Sequence, residues 1–170
     1  RGQMTLARRV TFVRDRDGLA LAQDPVIAPM REGAGVAIAK SLQGGVGSVA
    51  LLKTASPAEM VLRFEPADAQ SFGVRVYSDA EHWTEIGFDR ARMRFYVDRM
   101  HSGLTIAKGF LARTEAPLAA HRSFDVHVVI DRTSVEAFAQ GGTIAMTNLI
   151  FPPTEWVEVR LLRKGGHLRL

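Results

Sequence analysis

Cleaving a glycosidic bond takes a carboxylic acid and a second carboxylate roughly 5–10 Å apart. Asp98, Asp131 and Glu136 are the carboxylates whose settings invite that test. Asp98-Arg99 and Asp131-Arg132 each follow an apolar run. Both read more simply as strand-end turns, with the carboxylate accepting backbone N–H bonds and the arginine solvated or paired. His82, His101, His121, His127 and His167 are never three or four residues apart, so no local element offers a metal two ligands. Ser123, Asp125 and His127 have the residue types of a hydrolytic triad, with Asp131 close by. On one strand they stand side by side, which does not put a base behind a nucleophile. Gly45-Val46-Gly47-Ser48-Val49-Ala50 matches a dinucleotide fingerprint, but Pro57 follows too soon for the helix that would hold a pyrophosphate. It reads as a hairpin loop. Trp83 and Trp156, with Tyr77 and Tyr96, would stack on sugar rings where exposed and fill the core where not. No residue is assigned to catalysis, a cofactor or a metal.

The elements that carry these residues have period two. Phe124, Val126, Val128 and Ile130 alternate with Asp125, His127 and Val129; Met60, Leu62 and Phe64 alternate with Val61, Arg63 and Glu65. Phe72-Val74-Val76, Met93-Phe95-Val97, Ile144-Met146 and Val157-Val159-Leu161 repeat the pattern, and Met4, Leu6, Val10 and Phe12 share a face that Arg8 interrupts. Turn signals separate the runs at Asp17-Gly18, Gly44-Gly45, Ser56-Pro57, Ser78-Asp79, Asp89-Arg90, Gly141-Gly142, Pro152-Pro153 and Gly165-Gly166. Helical turns fit only 66–70 and 115–120. This predicts an all-β, two-sheet antiparallel sandwich, concanavalin- or lectin-like, of eleven or twelve strands and one domain over 1–170.

The 170 residues contain no cysteine, which removes disulfides, thiolate metal sites and cysteine nucleophiles. The net charge of +4 is spread singly along the chain, without the clustering that nucleic-acid binding needs. No run approaches the roughly 20 apolar residues that span a bilayer. The start, Arg1-Gly2-Gln3-Met4, carries neither an initiator methionine nor a signal-peptide pattern, so further sequence is expected upstream.

The stretch from Phe124 to Pro152, with Ile130-Asp131-Arg132-Thr133-Ser134-Val135-Glu136-Ala137-Phe138-Ala139 at its centre, resembles a signature of the C-terminal module of glycoside hydrolase family 32. That family holds the invertases, levanases, inulinases and sucrose-6-phosphate hydrolases. Arg1 to Arg8, Thr84 to Asp89 and Tyr96 to Gly103 resemble three further segments, in the same order. Ala7, Met100 and Ala137 depart from the pattern, where proline, threonine or serine, and valine are usual. The resemblance implies a non-catalytic β-sandwich that packs on an N-terminal five-bladed catalytic propeller, stabilises it and contributes to a domain or subunit interface. It also implies structural roles for Asp98, Arg99, Asp131, Arg132, Ser134, Glu136 and Phe138. None of the family's three catalytic motifs occurs here: Gln23 precedes Asp24-Pro25 in place of asparagine, and the motif that ends in cysteine is impossible. The alternative function is an independent carbohydrate-binding module.

Residues 122–151 are expected to form a central hairpin turning at Gln140-Gly141-Gly142, with Phe124, Val126, Val128 and Ile130 inward. The Asp131 carboxylate is expected to accept local backbone or hydroxyl hydrogen bonds at a strand-to-strand turn, so that its loss, by leaving buried donors unpaired, costs about 1–3 kcal/mol. An apolar patch bordering residues 1–8 is expected where the propeller would dock.

Overall fold

The computed structural model describes residues 4–15, 18–27, 37–43, 45–53, 57–119 and 123–170. Arg1 to Gln3, His121 and one half of each of the turns at Asp17, Gly44 and Ser56 lie outside the described residues.

Two six-stranded antiparallel sheets face each other. The first has the order β12-β11-β10-β5-β14-β3, built from Ile144–Leu149 (β12), Ser134–Ala139 (β11), Phe124–Ile130 (β10), Ala58–Pro66 (β5), Leu168–Arg169 (β14) and Ser41–Leu42 (β3). The second has the order β4-β13-β6-β7-β8-β9. Its strands are Gly47–Lys53 (β4), Glu158–Lys164 (β13), Ser71–Tyr77 (β6), Trp83–Asp89 (β7), Arg94–His101 (β8) and Arg113–Pro117 (β9). A separate ribbon pairs Arg8–Asp15 (β1) with Gly18–Pro25 (β2). The described residues thus form fourteen strands, where the sequence predicted eleven or twelve. Two of the fourteen, β3 and β14, are only two residues long, too short to show a period.

Period-two patterning works because successive side chains leave a strand on opposite faces. Phe124, Val126, Val128 and Ile130 of β10 are buried, as are Met60, Leu62 and Phe64 of β5, and they meet Phe72, Val74 and Val76 of β6 from the opposite sheet. Phe64, Phe72, Phe88, Phe95 and Phe124 form one aromatic cluster, with neighbouring ring centroids 5.1–5.8 Å apart.

Several local expectations are corrected. Residues 124–149 form a three-stranded meander with β12 at the sheet edge, so the Gln140-Gly141-Gly142 turn joins β11 to β12 and a second turn at 131–133 joins β10 to β11. Asp98 does not end a strand, because β8 continues to His101, which pairs with Trp83 across an irregularity in the β7 register. Residues 47–53 are strand β4 and not loop, residues 113–117 are strand β9, and no described residue is helical. In β1 it is the row containing Val10 and Phe12 that faces away from the core.

Candidate functional site: a latch on the outer face of the signature strand

Strand β11 is buried at both parities, the mark of a strand covered on both faces. Val135, Ala137 and Ala139 point into the sandwich. Ser134, Glu136 and Phe138 point outward, yet Glu136 is only 4 % exposed and Phe138 is equally buried. What covers them is the leading segment of the chain. The Leu6 backbone N–H donates to Glu136 Oε1 at 2.7 Å, and Arg8 Nη2 donates to Glu136 Oε2 at 2.7 Å. Thr147 Oγ1, from β12, donates to the same Oε2 at 3.2 Å. Arg8 also donates through Nη1 to Gln23 Oε1 at 2.8 Å, and its guanidinium lies 5.1 Å from the Phe138 ring centroid.

The ribbon is pinned a second time at the β11–β12 turn. The Gln23 N–H donates to the Gly142 carbonyl at 3.0 Å. Gln140, Gly141 and Gly142 all have positive φ, and a Cβ on Gly142 would run into the Gln23 backbone. Positive φ and close approach together call for glycine at 142.

Held this way, the ribbon buries Ala22, while the face that Arg8 and Gln23 anchor runs on into solvent beyond them. Register places Phe12 opposite Leu21 and Leu19 opposite Arg14. Phe12 is 76 % and Leu19 72 % exposed, with Val10 and Leu21 exposed on the same face. A contiguous apolar face of this kind marks an interaction surface more often than bare solvent exposure.

The other residues singled out in the sequence are dispersed. Asp98 lies on the outer face of the second sheet, where Oδ1 accepts the Met100 N–H at 3.0 Å and Oδ2 is 4.0 Å from Arg113. Glu136 is on the outer face of the first sheet, with the core between them, and Asp131 sits in an exposed turn. The three carboxylates do not converge. The Asp131 carboxylate accepts the Arg132 N–H at 2.7 Å. The buried donor at this turn, Trp156 Nε1, bonds to the Asp131 main-chain carbonyl at 3.2 Å and not to the carboxylate. That overturns the basis of the expected 1–3 kcal/mol side-chain effect. Arg99 donates to the Leu149 carbonyl at 3.0 Å and stacks over Phe110 at 4.7 Å; desolvation lowers its pKa. Trp156 is 1 % exposed and enclosed in the core, so it has no face for a sugar. Trp83 is flanked by the His101 ring at 4.1 Å and the Arg75 guanidinium at 4.7 Å, which occupy its stacking surface.

Leu6, Arg8, Gln23 and Thr147 were not singled out in the sequence. The available signal was Phe138, a large apolar side chain on the outward parity of β11, which calls for a cover.

Two six-stranded sheets and a leading ribbon latched to one of them define a β-sandwich module, in which Asp98, Asp131 and Glu136 stand apart. The chain belongs to the family described as "Glycosyl hydrolases family 32 C terminal", which matches residues 32–170. It is 26 % identical over 177 residues to a levanase of Bacillus sp. (strain L7), across 100 % of this chain and 19 % of that protein. It is 30 % identical over 113 residues to a fructan beta-fructosidase of Streptococcus mutans, across 64 % of this chain and 8 % of that protein. The solved exo-inulinase of Aspergillus awamori superposes with a TM-score of 0.80 at 24 % identity, over 95 % of this chain and 34 % of that one. The chain therefore spans about a fifth or less of the length of these two curated relatives.

Proposed function

We propose that this sandwich is the non-catalytic C-terminal module of a β-fructosidase acting on sucrose or on fructans such as levan and inulin. Its work is to hold and stabilise an N-terminal catalytic propeller and to complete a domain or subunit interface. The observation that carries this reading is the Glu136 latch, because it fixes the direction in which the leading segment meets the sandwich. The apolar face of Val10, Phe12, Leu19 and Leu21 lies on the ribbon that follows that segment, where a preceding domain would pack. A levanase and a fructan beta-fructosidase are among the similar proteins, both far longer than this chain. The divided placement of Asp98, Asp131 and Glu136 supports chemistry being done elsewhere, since acid and nucleophile have to flank one bond.

The test has two arms. The 170-residue chain alone should release no fructose from sucrose, levan or inulin, and turnover would refute the reading. Added to a separately produced β-fructosidase propeller, the chain should raise the propeller's melting temperature, and Phe12→Lys should abolish that gain.

A further inference from the structure

Where the loop between β8 and β9 meets the segment after β12, the sandwich holds a partly buried cation without an acid. Arg8, Arg75, Arg92 and Arg113 each rest against a carboxylate. Arg99 does not. Among the described residues its guanidinium reaches the Leu149 carbonyl, through Nη1 at 3.0 Å, and the face of Phe110 at 4.7 Å. Its Nε is buried and donates to nothing, and Nη2 makes no hydrogen bond to a described residue. Desolvation lowers its pKa with no acid to offset it. A cation drawn partly out of water is destabilising until an anion meets it.

Apolar surface surrounds this cation. The Phe110 ring stacks in turn on Phe151 at 5.5 Å, and Phe151 lines an open hollow of ≈ 500 Å³ with Leu104 and Pro152. Leu104 is 65 % and Ile106 55 % exposed, and Met100, next to Arg99 in the chain, is half exposed. The loop that presents them is fastened at both ends. The Leu104 N–H donates to the Phe151 carbonyl at 2.9 Å, and the Phe110 N–H to the Ala107 carbonyl at 3.1 Å. Gly103 has positive φ, and a Cβ there would strike the Phe151 carbonyl, so the loop packs backbone to backbone. Apolar side chains on an anchored loop lose little freedom on contact, and arginine joins aromatic residues at the centres of protein interfaces.

What covers this patch follows from charge and position. A guanidinium without an acid calls for a surface that brings a carboxylate. Leu149, whose carbonyl holds Arg99, is 37 % exposed on the outer face of β12, two positions beyond Thr147 of the Glu136 latch. The patch therefore adjoins the latch, and a domain joined to the sandwich through Leu6 is tethered beside it. We propose that the patch around Arg99 docks the domain that precedes the sandwich, and that a carboxylate of that domain pairs with Arg99. The choice of occupant rests on the function proposed above; the patch itself shares no residue with the exposed face of the ribbon.

Hydrogen exchange read by mass spectrometry tests this, comparing the 170-residue chain with a full-length β-fructosidase that carries this sandwich as its last domain. Amides over 103–111 should exchange about tenfold more slowly in the full-length protein. Ile106→Lys, on an exposed loop, should leave the melting temperature of the 170-residue chain unchanged and abolish that protection in the full-length protein. Arg99→Gln should weaken the protection in the full-length protein, and Arg99→Lys should restore part of it, because the pairing needs the charge. Protection over 10–21 without protection over 103–111 would overturn this patch and leave the function proposed above standing. Protection over neither would overturn both. Protection in the 170-residue chain that grows with its concentration would make a second copy the occupant and overturn the preceding domain. Unchanged protection in Arg99→Gln would overturn the carboxylate partner.

Discussion

Arg8 and Glu136 are 128 residues apart in sequence and meet at 2.7 Å, with the carboxylate also accepting the Leu6 N–H. One acceptor group thereby ties the leading segment to a strand more than a hundred residues further on and sets the angle of that segment. The Glu136 side chain is almost wholly buried and that of Arg8 about one-fifth exposed, so the pair lies between a surface and a buried ion pair.

Replacing Glu136 with alanine should cost about 2–4 kcal/mol, because it strands a guanidinium and a backbone donor together. Arg8→Met should cost less, and the double variant should be less than additive, since the two act on one interaction. Urea unfolding of the four proteins measures this. Full additivity would mean that Glu136 acts through Leu6 alone.

Gly142→Ala tests the second pin of the ribbon. A left-handed backbone costs a side-chain-bearing residue about 1–2 kcal/mol, and the new methyl would collide with the Gln23 backbone. The expected loss is therefore above 2 kcal/mol, with faster hydrogen exchange at Gln23. Gly141→Ala, which meets open space, should show the conformational cost only.

Phe88→Ala removes the ring that touches Phe64, Phe72, Phe95 and Phe124 at centroid distances of 5.1–5.8 Å. Both sheets contribute to that cluster, so neither can collapse freely into the space. A loss of about 3–5 kcal/mol is expected in denaturant unfolding. A loss under 1 kcal/mol would contradict the central place given to this cluster.

Much of the fold was legible because burial follows alternation wherever one face is dry. The rows from Phe124 to Ile130 and from Met60 to Phe64 are inward as read. Alternation gives parity but not sidedness, however. Val10 and Phe12 of β1 also share a parity, in a row that Arg8 interrupts, and face outward, because a two-stranded ribbon has little sheet of its own to bury them under. The latch was less legible for a related reason. Glu136 holds an outward parity, and only the chain's return across β11 buries it. That contact spans more than a hundred residues and leaves no local pattern. At Asp131 the residue type pointed to a turn, which exists, but the hydrogen bond from the buried donor there uses the main-chain carbonyl and has no sequence signature. Asp131→Ala should accordingly cost under about 1 kcal/mol, as a solvent-exposed local bond does.

The last prediction concerns acid. Asp79 accepts the His82 ring N–H at 2.9 Å and the Glu81 and His82 backbone N–H groups at 2.8 Å each. Those bonds, the His82 side chain foremost, lower its pKa from the ordinary 3.8. Asp68 is lowered in the same direction by His167, first through the backbone N–H and then through the ring. A carboxylate whose folded pKa lies below its unfolded one adds stability above the unfolded value and loses it as pH falls through the folded value. Stability should therefore hold steady from neutral pH to about 5, then fall through and below pH 4. Both carboxylates are solvent-exposed, so the effect should shrink in 1 M salt, where surface charges are screened. Asp79→Asn and Asp68→Asn should each lower the melting temperature at pH 7 and converge on the parent near pH 2. A difference from the parent that stays constant from pH 7 to pH 2 would show that these side chains act by shape and not by charge.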